Sequence, residues 1–110
     1  MELHGIPMVV TDWQSVEPVE HIGERGTSVW RSVEAGPVRI RVVDYSPGYR
    51  ADHWCPRGHV ILILEGEFSL SFKDGQSLKL GPGMSFVIGD DENNPHLGFS
   101  EGGAKAYIID

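Results

Sequence analysis

The sequence predicts an all-β, single-domain fold of the barrel or sandwich type, and three observations carry that prediction. Turn formers are spread evenly, with 14 Gly and 7 Pro in 110 residues, so no long helix fits between them. Between those breaks lie short alternating or apolar runs, about eight of them, at the roughly 8–12-residue spacing of an all-β domain. A hydrophobic content of 40% at this length suits one core of ordinary size and leaves little room for a second.

The segments follow in order. Residues 8–20 are mixed, and Thr11-Asp12-Trp13 is placed to start a helical turn capped by Thr11 or Asp12. Thr27 to Val33 alternates in part, and Ala35-Gly36-Pro37 makes a turn. Val38 to Tyr45 alternates more cleanly, with Val38, Ile40 and Val42 expected on the core face. His59 to Leu64 reads as a buried strand, and Phe68, Leu70 and Phe72 share one face of the next. Asp74-Gly75 is the preferred pair for a two-residue type I′ hairpin turn, with Ser77 to Leu80 as the returning strand. Gly81-Pro82-Gly83 turns into Met84 to Ile88. A polar loop from Gly89 to Pro95 then leads to strands at His96 to Phe99 and Ala104 to Ile109. Residues 27–110 are thus expected to form the barrel, and residues 1–26 an arm or strand packing on it or on a dimer partner.

Charge narrows the function. Nine basic residues against sixteen acidic ones give a net charge of -7. A nucleic-acid partner is not expected, because phosphate neutralisation needs a basic face. An anionic membrane surface is excluded for the same reason, and no apolar run approaches the roughly 20 residues of a spanning helix. The N-terminal Met1-Glu-Leu-His-Gly lacks the basic and apolar regions of a signal peptide. The single cysteine has no internal disulfide partner, which points to a reducing, cytoplasmic setting.

The chemistry concentrates in Asp52-His53-Trp54-Cys55-Pro56-Arg57-Gly58-His59. His53 and Cys55 are two apart, so on a strand they point to one face, and His59 joins them if the Pro56–Gly58 kink keeps the register. His96 supplies a distant fourth donor. Imidazole and thiolate suit zinc, copper, nickel or iron rather than magnesium or calcium. One divalent transition metal is therefore expected, zinc first, held by His53, Cys55, His59 and His96, or by the three histidines with Cys55 as a free thiol beside them. These donors also favour a barrel with an inner cavity over an open sandwich without one, since inward polar groups need a partner.

These residues resemble the first motif of the cupin superfamily: a Gly, two His separated by one residue, a Glu a few residues on, and a later Gly. Gly48 stands first, His53 at the first His, Cys55 at the second, His59 at the Glu and Gly66 at the closing Gly. Pro82-Gly83 and His96 resemble the second motif, whose Pro-x-Gly is replaced here by the longer acidic loop. The match covers roughly Thr27 to Ile109. Within the superfamily the run is similar to an uncharacterised group of small cupins known for an Asp-His-Cys-Trp set, although the order here is Asp-His-Trp-Cys. The resemblance implies a cupin-type jelly-roll barrel (double-stranded β-helix) that binds a metal and pairs as a homodimer, with Met8 to Trp13 as the candidate arm. It implies no substrate. The Cys-for-His and His-for-Glu replacements leave the donor set with at most one ligand charge.

Other polar residues are weighed against plainer roles. Asp52 reads as an exposed acid or an acceptor behind a ligand imidazole, and Trp54 as a packed aromatic. Arg39 and Arg41 share a face, expected to be the solvated one; on the inner face they would suit a carboxylate substrate. Tyr45, Met84, Phe86 and Tyr107 are core or pocket lining. His21 and Glu24 read as loop, and Asp90-Asp91-Glu92 as a solvated turn. Two functions remain open: a metal-binding protein without assigned activity, and a small metal-dependent enzyme (dioxygenase, isomerase or hydrolase) acting on a small polar molecule, with Asp52 or Glu67 weighed as its base.

Overall fold

The strand segments fold where the alternation marks them. The structure is a computed structural model describing residues 3–110, so the first two residues of the expected 1–26 arm lie outside the described residues. The helical turn is a 3-10 turn, Trp13–Ser15, capped by Asp12, whose side chain accepts from Gln14 N. The strands are β1 (Val19–Ile22), β2 (Thr27–Ala35), β3 (Val38–Tyr45), β4 (Tyr49–Arg50), β5 (His59–Gly66), β6 (Phe68–Phe72), β7 (Ser77–Leu80), β8 (Ser85–Ile88), β9 (His96–Ser100) and β10 (Ala104–Ile109). Of these, β1 and β4 fall in stretches where polar, Gly-rich composition hides any alternation.

Six strands pair in the order β1-β2-β3-β10-β5-β8 and four in the order β4-β9-β6-β7. Every pairing is antiparallel. The two sheets close a jelly-roll barrel over one core, built from Val43, Ile61, Ile63, Phe68, Leu70, Phe72, Leu80, Ala104, Ala106 and Ile108. Each large member stabilises the fold by about 1.5–3 kcal/mol through burial of its side chain.

The β2–β3 turn uses Gly36 at φ 59°, which suits Gly at the first central position of a tight hairpin. The β6–β7 turn departs from expectation. No non-Gly residue among those described has a positive φ, so Asp74-Gly75 does not form a type I′ turn. Gly75 N instead donates to Phe72 O at 3.1 Å and Phe72 N to Gln76 O at 2.9 Å. Gly75 takes the left-handed position of a longer loop, and Asp74 Oδ1 accepts from Gln76 N. The Asp side chain thus stabilises a right-handed turn of its own backbone.

The second departure concerns β3. Its inner face carries Val43, with Tyr45 packed on the same core cluster, while Arg41 is buried at 5% exposure. Val38, Ile40 and Val42 have the opposite parity and face away from that core. Trp13 packs edge-on against Tyr107, whose register partner is Val42, so the N-terminal segment covers part of this outer face. Both faces of β3 are therefore covered, and apolar parity alone does not tell them apart.

Candidate metal site

Cys55 and His96 are brought together by the backbone. Cys55 N donates to His96 O at 2.7 Å, and His96 N donates to Cys55 O at 2.9 Å. This reciprocal antiparallel bridge sets the two side chains side by side. His59 then enters at the start of β5, after the Pro56–Gly58 turn. A side chain at Gly58 would meet Ile88 O at 2.6 Å, so only glycine fits there. The acidic loop supports this turn: Asp90 Oδ1 accepts from Gly58 N, and Asp91 N donates to Pro56 O. Asp90 and Asp91 therefore act as a brace as well as a solvated turn.

One ligand atom each from Cys55, His59 and His96 lies within 4.8 Å of the others. Cys55 Sγ is 3.5 Å from His59 Nε2. His96 is 4% exposed, and its Nδ1 is buried without a hydrogen-bond partner. A buried ring nitrogen left without a partner is destabilising unless an ion or water satisfies it. Burial, with the neighbouring His96 ring, pushes the His59 imidazole down to about 4. Burial lowers His96 as well. Both rings are neutral near pH 7, the form that donates a lone pair to a metal. Soft sulfur, two neutral imidazoles and an orphaned nitrogen fit a transition metal.

His53 lies apart from this group. Asp52 and His53 sit in a bend rather than a strand, so the two-residue parity with Cys55 does not operate. The His53 side chain is 70% exposed and pairs through Nδ1 with Asp52 Oδ1 at 2.7 Å. The structure thus gathers three of the four expected donors.

Sequence reasoning missed Asp110. The strand β10 lies between β3 and β5, so the residue after it meets both. Arg39 donates to Asp110 from Nε at 3.0 Å and from Nη2 at 2.7 Å, and Arg41 Nη2 donates at 3.1 Å. His59 Nδ1 lies 3.2 Å from Asp110 Oδ2 without a well-directed hydrogen bond, so this is a close polar contact between a neutral ring and a carboxylate. Burial opposes ionisation of Asp110, but the Arg39 hydrogen bonds and the Arg41 charge outweigh it and hold the carboxyl below its ordinary value. No local spacing signals this contact. Two arginines on a core-facing strand are the signal, because buried cations need an acid.

Beside the donors lies a cavity of about 90 Å³, lined by His59, His96, Arg41, Tyr45, Tyr49 and apolar neighbours. Gly98 is part of its wall and leaves room for the Phe68 ring, which a Cβ there would strike. Other weighed residues lie elsewhere. Glu67 pairs with Lys79, Glu24 with Arg50, and Lys73 stands over Trp54. Phe86 packs on the core, Met84 is half-exposed, and Tyr107 meets Trp13. Among the described residues, no other group of three His, Cys, Asp or Glu side chains comes as close.

No family model and no curated protein matches the sequence. Solved structures do match. An RmlC-like cupin from Shewanella frigidimarina superposes with a TM-score of 0.74 at 19% identity, over 96% of this chain and 91% of that one. The chain has the cupin fold. A sugar phosphate isomerase of the cupin superfamily from Silicibacter pomeroyi gives 0.73 at 14% identity, over 92% of this chain and 74% of that one. A structure of Fe(II)-HppE with an alternative substrate gives 0.72 at 15% identity, over 94% of this chain and 60% of that one. At these identities the likeness concerns the cupin barrel alone. The finer similarity to the Asp-His-Cys-Trp group rests on the motif.

Proposed function

We propose that this cupin binds one divalent transition metal ion through Cys55, His59 and His96. The observation that carries the reading is the convergence of those three ligand atoms within 4.8 Å, two of them on histidines that line the barrel cavity. Zinc is the first choice for one thiolate and two imidazoles, with iron, nickel or copper next. One structural neighbour, Fe(II)-HppE, lends weight to a metal-using cupin.

The cavity beside the donors favours a second reading, a small metal-dependent enzyme (dioxygenase, isomerase or hydrolase) acting on a small polar molecule. A bound metal would act as a Lewis acid toward an oxygen of the ligand. The protein's own groups have defined parts. Asp110 fixes His59 from behind, Arg41 supplies a cation, and Ile61, Leu70 and Ile108 keep the cavity wall apolar. Burial raises the Tyr45 hydroxyl well above its ordinary value, so it keeps its proton and remains a donor.

Elemental analysis of untagged wild type and Cys55→Ser tests the reading. One transition metal per chain is expected in wild type. Its loss in the variant assigns the thiolate as a ligand and favours storage or sensing. Its retention leaves a histidine site and favours the enzyme. No metal in wild type refutes both.

We also propose a homodimer. Met8, Val10, Val19 and Ile22 expose apolar side chains on the N-terminal segment and β1, and β1 and β8 are free edges of the six-strand sheet. A monomer by sedimentation at micromolar concentration would refute this. A lone thiol at the centre of the site supports a reducing, cytoplasmic setting. No helix among the described residues is long and apolar enough to cross a membrane.

A further inference from the structure

We propose that the cavity beside the metal donors takes a small carboxylate, with Arg41 as its recognition group. This deepens the metal-site reading and rests on the same cavity. Four observations carry it. The cavity wall contains Arg41, Tyr45, Tyr49, His59 and His96 and no acidic residue. Arg41 is 5% exposed, and its Nε has no hydrogen-bond partner. Its one acidic partner is already engaged, because Arg39 holds both oxygens of Asp110 and Arg41 shares only Oδ2. The Arg41 guanidinium also lies 4.3 Å from the Trp30 ring centroid, and His21 packs on the same indole at 4.0 Å.

Charge balance follows from these contacts. Two guanidinium cations share one buried side-chain carboxylate, so Arg41 reaches the cavity only partly paired. A divalent metal held by Cys55, His59 and His96 would add positive charge nearby. Glu34 stands opposite Arg39 in the β2–β3 register, but it is exposed and does not line the cavity. A buried, partly unpaired guanidinium is destabilising until an anion meets it. The Trp30 face fixes the plane of the Arg41 fork, and a planar fork matches the two oxygens of a carboxylate. The protonated Tyr45 hydroxyl adds a donor to the same wall. Size sets the class: about 90 Å³ is well below the roughly 300–1,000 Å³ that holds a drug-sized ligand, so the anion has two or three carbons.

The test is a titration of chelated and metal-loaded protein with acetate and propionate, followed by ¹H–¹⁵N NMR. Acetamide and propionamide serve as neutral isosteres, and inorganic phosphate as the competing anion. The carboxylates are expected to shift the Gly98 and His96 amides and the Arg41 side-chain signals. Their affinity should exceed that of the amides at least tenfold. Arg41→Gln should remove that preference, and Arg41→Lys should keep part of it. Equal binding of acetate and acetamide overturns the proposal, as does a preference for phosphate, or a carboxylate preference that survives Arg41→Gln. The wild-type comparison decides the matter even if the variants do not fold. Metal content is read separately. An Arg41-dependent carboxylate preference in a protein that takes up no metal refutes the metal reading and keeps this one. Metal uptake without the preference does the reverse.

Discussion

Two histidines in this chain each stand beside an aspartate, and the pairs have opposite meanings. His53 meets Asp52 at 2.7 Å on an exposed bend. His59 meets Asp110 at 3.2 Å, where the Asp110 side chain is 1% exposed. The shorter contact is the weaker device, because water and salt screen an exposed pair and it gains little. The longer contact lies where charge is poorly screened and where two arginines fix the carboxylate. Donor chemistry is the same in both places. What differs is the backbone: a bend leaves His53 in solvent, while the Cys55–His96 bridge and the Pro56–Gly58 turn deliver His59 to the barrel interior.

Neutralising the two acids separates the pairs most sharply. Asp110→Asn leaves Arg39 and Arg41 without their counter-charge and should destabilise the fold by about 3–5 kcal/mol. It should also weaken metal binding by roughly 10–100-fold, the usual effect of losing a group behind a metal-binding histidine. Asp52→Asn should change stability by less than about 0.5 kcal/mol and leave metal affinity unchanged. Urea unfolding and competitive chelator titration measure both. Equal effects from the two variants would erase the distinction.

A smaller effect comes from proton linkage in chelated protein. The unfolded chain protonates residue 59 near its ordinary 6.5, whereas the folded ring resists protonation down to about 4. Between those values the unfolded state binds more protons, so stability falls as pH drops through the window, by up to roughly 3 kcal/mol. Burial of His96 acts in the same direction. Asp110, with a lowered folded value, stabilises above its unfolded value near 3.8 and loses that contribution only below it. Melting curves at pH 7 and pH 4.5 should show the fall, and His59→Asn should flatten it. A fall of the same size in His59→Asn would remove the assignment.

The smallest of the three acts on the turn itself. Gly58→Ala forces a Cβ against Ile88 O, a rigid backbone atom, and should destabilise by about 1–3 kcal/mol. It should lower metal affinity through displacement of His59, without touching a donor. Unchanged affinity by chelator competition would show that the turn does not set the position of His59.

The same comparison explains what was legible in the sequence. The β class, the eight runs and the Phe68, Leu70, Phe72 face were readable because alternation and turn residues are local signals. The grouping of Cys55, His59 and His96 was readable because the three occupy motif positions. The separate position of His53 was hidden, since parity presumes a strand and residues 52–53 form a bend. The inner face of β3 was misread because an outer covering makes Val42 as buried as a core residue, at 6% exposure. Asp110 was invisible because its partners on β3 and β5 are set by sheet order, which no local pattern encodes.

The central claim is that Cys55, His59 and His96 form the metal site and that His53 does not. Elemental analysis of three proteins purified side by side, wild type, His53→Ala and His59→Ala, tests it most directly. The account predicts one transition metal per chain in wild type and in His53→Ala, and a loss of at least tenfold in His59→Ala. Metal lost from His53→Ala and kept in His59→Ala would contradict it.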